Sequence, residues 1–292
     1  MATPRPRVLA LVLGDQLDHR SAVLDALDPA KDALWMAEVA EETTHVWAHR
    51  LRVAAFFAAM RHHREWLRQC GFTVHYTELP TDPARDRGRS LAEVLTADVE
   101  ALRPERLRVV QPGDHRVLAQ LREAAARLDV PLEVLEDRHF YLPLKDFEGW
   151  MEGRQRPTLE HFYRWMRKRT GLLMEGDEPV TGRWNYDEQN RETFGRAGPP
   201  ARKRPRRFGP DALTEEAIAL VEARFSDHPG SLEHFDVPVT RTQARAALRE
   251  FVAERLPAFG RHQDAMWQGE RFLFHSRLSF PLNVKLLSPR EV

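Results

Sequence analysis

A single cysteine, Cys70, stands in 292 residues, which removes a disulfide framework and any multi-cysteine metal site within the chain. It falls late in a predicted helix (Trp66-Leu67-Arg68-Gln69-Cys70-Gly71), so a buried or half-buried structural thiol is expected. No apolar run reaches the roughly 18 residues of a membrane span. The N-terminus lacks the charged, then apolar, then small succession of a secretory signal, and the expected compartment is the cytosol. Neither sign of charge is in excess. With 44 basic and 44 acidic side chains, attraction to nucleic acid must be local rather than global. No G-x-G-x-x-G follows the first strand, and no P-loop, G-x-S-x-G or H-E-x-x-H occurs, so hydrolytic and nucleotide-triphosphate chemistry have no support. The adjacent pair His62-His63 lies in a helix, where neighbours point to different faces, and cannot hold one metal.

What is present begins with Arg7-Val8-Leu9-Ala10-Leu11-Val12-Leu13-Gly14-Asp15-Gln16-Leu17. Six apolar residues bounded by a Gly-Asp turn read as a strand buried on both faces of a parallel sheet. Further strands are predicted at 33–39, 72–76, 107–110 and 131–135. Helices alternate with them, the longest over about 48–70, where Phe56, Met60, His63 and Leu67 share a face before the stop at Gly71. Five strands alternating with helices imply an α/β fold, a Rossmann-like parallel sheet with right-handed crossovers. If the order is 3-2-1-4-5, the crevice at the switch point is lined by Gly14-Asp15-Gln16 and by Gln111-Pro112-Gly113-Asp114-His115-Arg116. Asp15 either faces a ligand there or caps the following segment. Beyond about Phe140 strand signals vanish and helices take over, at 158–173, 211–225 and 242–256, with Thr240 or Thr242 as a cap for the last. The expected divisions are 1–138 for the α/β domain, 139–210 for a connecting helix and long polar loop, and 211–292 for a helical region.

Two basic segments stand out. Arg164, Arg167, Lys168 and Arg169 are interleaved with His161, Phe162, Tyr163 and Trp165, and Arg183-Trp184 follows. Cations among aromatics suit phosphates and exposed bases, although a solvated helix face has the same pattern. Arg202-Lys203-Arg204-Pro205-Arg206-Arg207 is denser, with no acid between its five cations, and favours a polyanion. Near the end, Ser276 and Ser279 flank Arg277 where a helix would begin, which fits a phosphate or a plain helix cap.

As an ordered set, several segments resemble the bacterial iron–sulfur branch of the photolyase/cryptochrome family, the deoxyribodipyrimidine photolyase-related proteins. They are Leu13-Gly14-Asp15-Gln16-Leu17, Ala37-Glu38-Val39, Pro112-Gly113-Asp114-His115-Arg116-Val117, Thr158-Leu159-Glu160-His161-Phe162-Tyr163-Arg164 and Lys168-Arg169-Thr170-Gly171-Leu172-Leu173-Met174. Gly182-Arg183-Trp184-Asn185, Phe259-Gly260, Gln263-Asp264-Ala265-Met266 and His275-Ser276-Arg277-Leu278-Ser279 continue the series. The resemblance implies blue-light-driven, flavin-dependent repair of (6-4) photoproducts in DNA. It also leaves room for a blue-light photoreceptor, or for a non-catalytic chromophore- or nucleic-acid-binding module. It implies a 6,7-dimethyl-8-ribityllumazine-like antenna against Gly14, Asp15, Gln16, Leu17 and Glu38, and FAD whose phosphates meet His275, Ser276, Arg277, Leu278 and Ser279. DNA is the implied partner, with Arg164, Arg167, Lys168, Arg169, Arg183, Trp184, Arg202, Lys203 and Arg204 as its contacts.

The chain also departs from that family. The resemblance places most of the flavin pocket, the lesion-contacting histidines, the tryptophan chain and four cluster-binding cysteines after the Arg277 segment, where this chain ends. One cysteine cannot hold the iron–sulfur cluster. The expectation is a fragment or truncated product that holds FAD poorly and lacks catalytic residues of its own. Its last residues are crowded with Leu278, Phe280, Leu282, Val284, Leu286 and Leu287, which predicts an uncovered apolar surface given to self-association or to binding a further polypeptide.

Overall fold

The computed structural model describes residues 5–292. Its main sheet has five parallel strands: β1 (Val8–Leu11), β2 (Ala33–Ala37), β3 (Thr73–Thr77), β4 (Arg106–Val110) and β5 (Leu132–Leu135). Their order is β3-β2-β1-β4-β5, so the central strand is the apolar run at the start of the chain. The register sets Leu9 beside Ala33 and Leu107, and Leu11 beside Trp35 and Val109. These residues lie on one face of the pleat. They pack against Leu91, Val94, Leu95 and Val99 of α3 (Leu91–Leu102) and Val117, Leu121 and Ala125 of α4 (His115–Arg127). Ala10, Leu34 and Met36, at the alternate positions, are equally buried, which is why the strands read as continuous apolar runs.

The chain divides into two compact units. Unit 1 comprises the described residues to Tyr141, Arg206–Leu248 and Leu278–Val292; unit 2 comprises Leu142–Pro205 and Arg249–Arg277. Within unit 1 the predicted long helix is preceded by a separate short one, α1 (Ala40–Thr44), and then runs as α2 (Arg50–Gln69). Its buried face includes Met60, His63 and Leu67, and Gly71 at φ +90° supplies the reversal after it. Cys70 is exposed at the C-cap, contrary to the half-buried thiol expected, because the helix ends before its apolar face comes round again. Helix α7 (Ala212–Arg224) packs on α2, with His62 Nε2 3.1 Å from Asp211, the residue that caps α7. The described residues include no group of three or more metal-ligating side chains. No helix among them is long and apolar enough to cross a membrane.

Unit 2 holds α5 (Leu144–Met151), α6 (Leu159–Thr170), α9 (Leu256–His262) and the second part of α8 (Arg241–Glu254). Thr158 caps α6 through the His161 N–H, and Gly171 at φ +68° ends it. Strands do not vanish there altogether. A two-stranded antiparallel piece, β6 (Met174–Glu175) with β7 (Glu178–Pro179), closes over the Gly176-Asp177 turn. Two residues per strand leave no hydrophobic alternation to read.

The apolar end of the chain is covered. Leu278, Val284, Leu286 and Leu287 are buried, followed in unit 1 by a last short helix, α10 (Ser279–Asn283), between the first two. The Leu17 N–H donates to the Val284 carbonyl at 3.1 Å, Arg241 donates to the Leu286 carbonyl at 2.9 Å, and Phe56 and Phe280 meet edge to face. Unit 1 itself therefore covers these four side chains, which the sequence reading expected to be uncovered, while Phe280 and Leu282 are half-buried.

Candidate functional site

At the carboxyl end of the sheet, between the turns after β1 and β4, lies a crevice of about 1190 Å³, all of it within unit 1. Its apolar wall includes Leu13, Val39, Phe56, Phe57, Met60 and Val117. A Cβ on Gly14 would lie 3.0 Å from Met60 Sδ, so any side chain there would have to displace the Met60 side chain. Asp15 lines the opening, and Gly113 leaves the space in front of its carboxylate clear. Burial raises the Asp15 carboxyl above its ordinary pKa, against the pull of the Lys285 ammonium.

Gln16 does different work from that expected of a ligand contact. It is buried, and its amide donates to the carbonyls of Val110 at 3.0 Å and Gln111 at 3.4 Å, clipping the β1 turn to the β4 turn. Leu17 is wholly buried in the core. Glu38 borders the crevice, but both its oxygens are engaged: Arg61 donates to them at 2.8 and 2.9 Å, the Tyr76 hydroxyl at 2.6 Å and the Leu79 N–H at 3.1 Å. Burial opposes the Arg61 charge, and the Glu38 pair more than offsets it, so the guanidinium is held above its usual range. Burial first, and then Glu38, raises the Tyr76 hydroxyl well above its ordinary pKa.

On the far side, Asp114 caps α4 by accepting the Arg116 N–H at 2.8 Å. The Arg116 side chain donates through Nη2 to both Glu42 oxygens, at 2.9 and 3.0 Å. Its Nε and Nη1 are buried and find no hydrogen-bond partner among the described residues, with Glu41 no nearer than 3.7 Å to Nη1. The floor is made by Asp137 and His139, just after β5, and by Lys285, whose Nζ donates to Asp137 at 2.8 Å. His139 is 5% exposed and its Nδ1 has no partner among the described residues. Burial, helped by Lys285, lowers its pKa, so the ring is neutral near pH 7. Sequence reasoning missed Asp137, His139 and Lys285. The first two had a signal, since they follow the last strand at the end of the sheet where α/β proteins place ligands. Lys285 had none.

Residues 10–237 match the family model described as deoxyribodipyrimidine photo-lyase-related protein. The chain belongs to that family. It is 41% identical over 289 residues to a (6-4) photolyase of Agrobacterium fabrum, an alignment covering 97% of this chain and 55% of the relative. It thus spans about half the length of that curated photolyase. A second relative, the uncharacterized protein R852 of Acanthamoeba polyphaga mimivirus, is 25% identical over 148 residues, 49% of this chain and 71% of that protein.

Of the remaining residues singled out from the sequence of this photolyase-related chain, Ser279 is among those that line the crevice. Ser279 lines it at the start of α10, a helix of five residues without a side-chain cap, and Leu278 is core. His275 is exposed, Ser276 is half-buried, and Arg277 lies 4.5 Å from the centre of the Phe272 ring. In unit 2, Arg164, Arg167 and Lys168 gather around Trp184 at 5.4, 5.5 and 5.7 Å, which occupies much of the indole surface that a base would need. Arg164 pairs with Glu160, Arg169 with Asp146, and Arg167 turns inward to the Leu172 and Leu173 carbonyls. Arg202 meets Glu270 at 2.7 Å and Lys203 meets Glu254 at 2.8 Å, so acids distant in sequence answer the basic run. Arg183 and Arg204 are exposed.

Proposed function

We propose that this chain is the light-harvesting part of a photolyase, holding a lumazine-like antenna in the crevice of unit 1 and serving flavin-driven repair of (6-4) lesions in DNA. The observation that carries the reading is the pairing of a roomy, apolar-walled crevice with buried polar atoms that the protein leaves unsatisfied, Arg116 Nε and Nη1 and His139 Nδ1. Buried donors without acceptors are costly, and a ligand with ring nitrogens or carbonyls removes that cost. A bound lumazine would absorb near-ultraviolet and blue light. The chain's own part would be to hold it: Phe56, Phe57 and Met60 would pack against its ring, Arg116 and His139 would offer hydrogen bonds to its polar atoms, and Asp15 would line the same site.

The single exposed Cys70 does not fit an iron–sulfur cluster. Because α10 has five residues and no side-chain cap, and Leu278 lies in the core, this reading leaves FAD to the larger photolyase rather than to the segment His275–Ser279. DNA binding is proposed for unit 2, through Lys168, Arg183 and Arg204, which meet no carboxylate among the described residues. The test is to purify the whole chain, record its absorption spectrum and titrate it with 6,7-dimethyl-8-ribityllumazine. Stoichiometric uptake, weakened by Phe56→Ala or Arg116→Ala in a folded protein, is the expected outcome. A chain that neither retains nor takes up the lumazine at tens of micromolar refutes the antenna reading.

A further inference from the structure

Lys285 combines features that packing alone does not call for. Its backbone sits at φ +64°, the left-handed region that favours glycine, although its side chain is long. It is 6% exposed, so an ammonium group has been taken out of water. It also lies on the floor of the crevice of unit 1, beside Asp137 and His139. Backbone strain and a buried charge both cost stability, and such outliers collect at functional sites, where the surrounding structure holds them.

The bonds around Lys285 form a relay. Its Nζ donates to Asp137 Oδ2 at 2.8 Å, and Asp137 Oδ1 accepts the His139 N–H at 2.9 Å. One carboxylate thus ties the lysine to the backbone of a residue that lines the crevice. Further along, Arg290 donates to the Arg138 carbonyl at 2.9 Å and lies 4.7 Å from the centre of the Tyr141 ring. The turn after β5 is therefore held at two points by the segment that follows α10. That segment is itself fastened, because the Leu17 N–H donates to the Val284 carbonyl and Arg241 to the Leu286 carbonyl. It joins unit 1 only after the chain has passed through Arg249–Arg277 of unit 2. The sheet is made by residues up to Leu135, whereas the crevice floor is finished from Lys285.

We propose that Lys285 is a positioning residue of the ligand site: through Asp137 it fixes the turn that carries His139, and Arg290 secures the same turn at Arg138. The proposal rests on the antenna reading for the ligand that senses the turn, and adds to it the residues that hold the floor. An ion pair that merely fastened two segments could be exchanged for apolar side chains at little cost. This one ends on the N–H of a crevice residue, and a looseness of about 1 Å in the supporting shell is enough to weaken a site.

The experiment uses the full chain and two readouts, hydrogen exchange of the His139 amide followed by NMR and fluorescence titration with 6,7-dimethyl-8-ribityllumazine. Lys285→Gly removes the ammonium and suits the left-handed backbone. Checked for a native thermal transition, it is expected to exchange the His139 amide at least about tenfold faster and to bind the lumazine at least about tenfold more weakly. Arg290→Ala, at an exposed position, is expected to move both readouts by about threefold in the same direction, and it decides the question if Lys285→Gly does not fold. Unchanged His139 exchange in the folded variant overturns the proposal and leaves the pair a plain anchor. Faster exchange with undiminished lumazine affinity overturns it as well, since the turn then does not serve the site. In both cases a wild type that binds the lumazine leaves the antenna reading standing. A wild type that binds none refutes the antenna reading and this proposal with it.

Discussion

Replacing Glu38 by glutamine tests whether this residue belongs to the fold or to the ligand. Its side chain is fully buried and Arg61 is 4% exposed, so the pair sits in a dry interior. Glutamine keeps the volume, but its single oxygen can replace only one of the two that accept from the Tyr76 hydroxyl and the Leu79 N–H. It removes the charge that balances Arg61 and turns an NH₂ group toward guanidinium donors. Breaking a buried pair by altering one partner costs about 3–5 kcal/mol, because the other charge stays buried without compensation. Glu216 offers a little relief at 3.7 Å, but it is 59% exposed and screened, so the expected loss is about 3 kcal/mol. Against a total stability of roughly 5–15 kcal/mol this is large, and urea denaturation followed by circular dichroism measures it. The double variant Glu38→Leu, Arg61→Met removes both charges and should recover much of the loss. A loss below about 1 kcal/mol in Glu38→Gln would falsify the structural assignment, and a simultaneous fall in lumazine affinity would return Glu38 to the ligand.

Gln16→Leu should cost about 1–3 kcal/mol by stranding the Val110 and Gln111 carbonyls, read as a lower thermal midpoint; an unchanged midpoint means that the clip is dispensable. Burial lowers the pKa of His63 to about 3 and that of His19 to about 4, both below their unfolded value of 6.5. The unfolded chain therefore takes up protons first as pH falls, so stability is full above about pH 6.5 and declines toward pH 4, by up to about 1.4 kcal/mol per pH unit for each ring. His63→Leu should flatten that decline, and a slope identical to wild type in urea titrations between pH 7 and 4.5 contradicts the assignment. DNA binding should fall with salt at a log–log slope of about −2.7, the value for three phosphate contacts by Lys168, Arg183 and Arg204. Glutamine at those three should abolish the slope, whereas Arg202→Gln with Lys203→Gln should leave it nearly intact; the reverse pattern refutes the assignment.

The sheet was legible because its signals are local. Val8 to Leu13 is apolar throughout, turn residues bracket each strand, and amphipathic helices such as α4 separate them, so a five-stranded parallel sheet follows; right-handed crossovers allow more than one strand order, and β3-β2-β1-β4-β5 is fixed by the structure. The place of the crevice followed too, from the two Gly-Asp turns at the switch point. The identity of the working side chains did not follow as well. Asp15 and Gln16 are neighbours in the sequence and both polar, yet one faces the crevice and the other is spent on two backbone carbonyls. Which neighbour turns inward is decided by where β4 ends, a fact 94 residues away. Glu38 illustrates the same limit, since Arg61, Tyr76 and Leu79 claim it from three separate segments.

The terminal segment and the basic run share one physical cause for the difference between expectation and structure. Hydrophobicity and charge, read along a chain, give the quantity that must be compensated but not the place from which compensation comes. Leu286 and Leu287 are apolar enough to call for a partner, and unit 1 provides it through a stretch anchored by Arg241 to Glu291 and the Leu286 carbonyl, and by Lys285 to Asp137. Arg202 and Lys203 look like an uncompensated polycation, and Glu270 and Glu254 cancel them from 68 and 51 residues away. A chain with equal numbers of acids and bases has a counterion within reach for most charges, so the informative side chain is the one left over. Among the described residues, the acid left over in the crevice of unit 1 is Asp15.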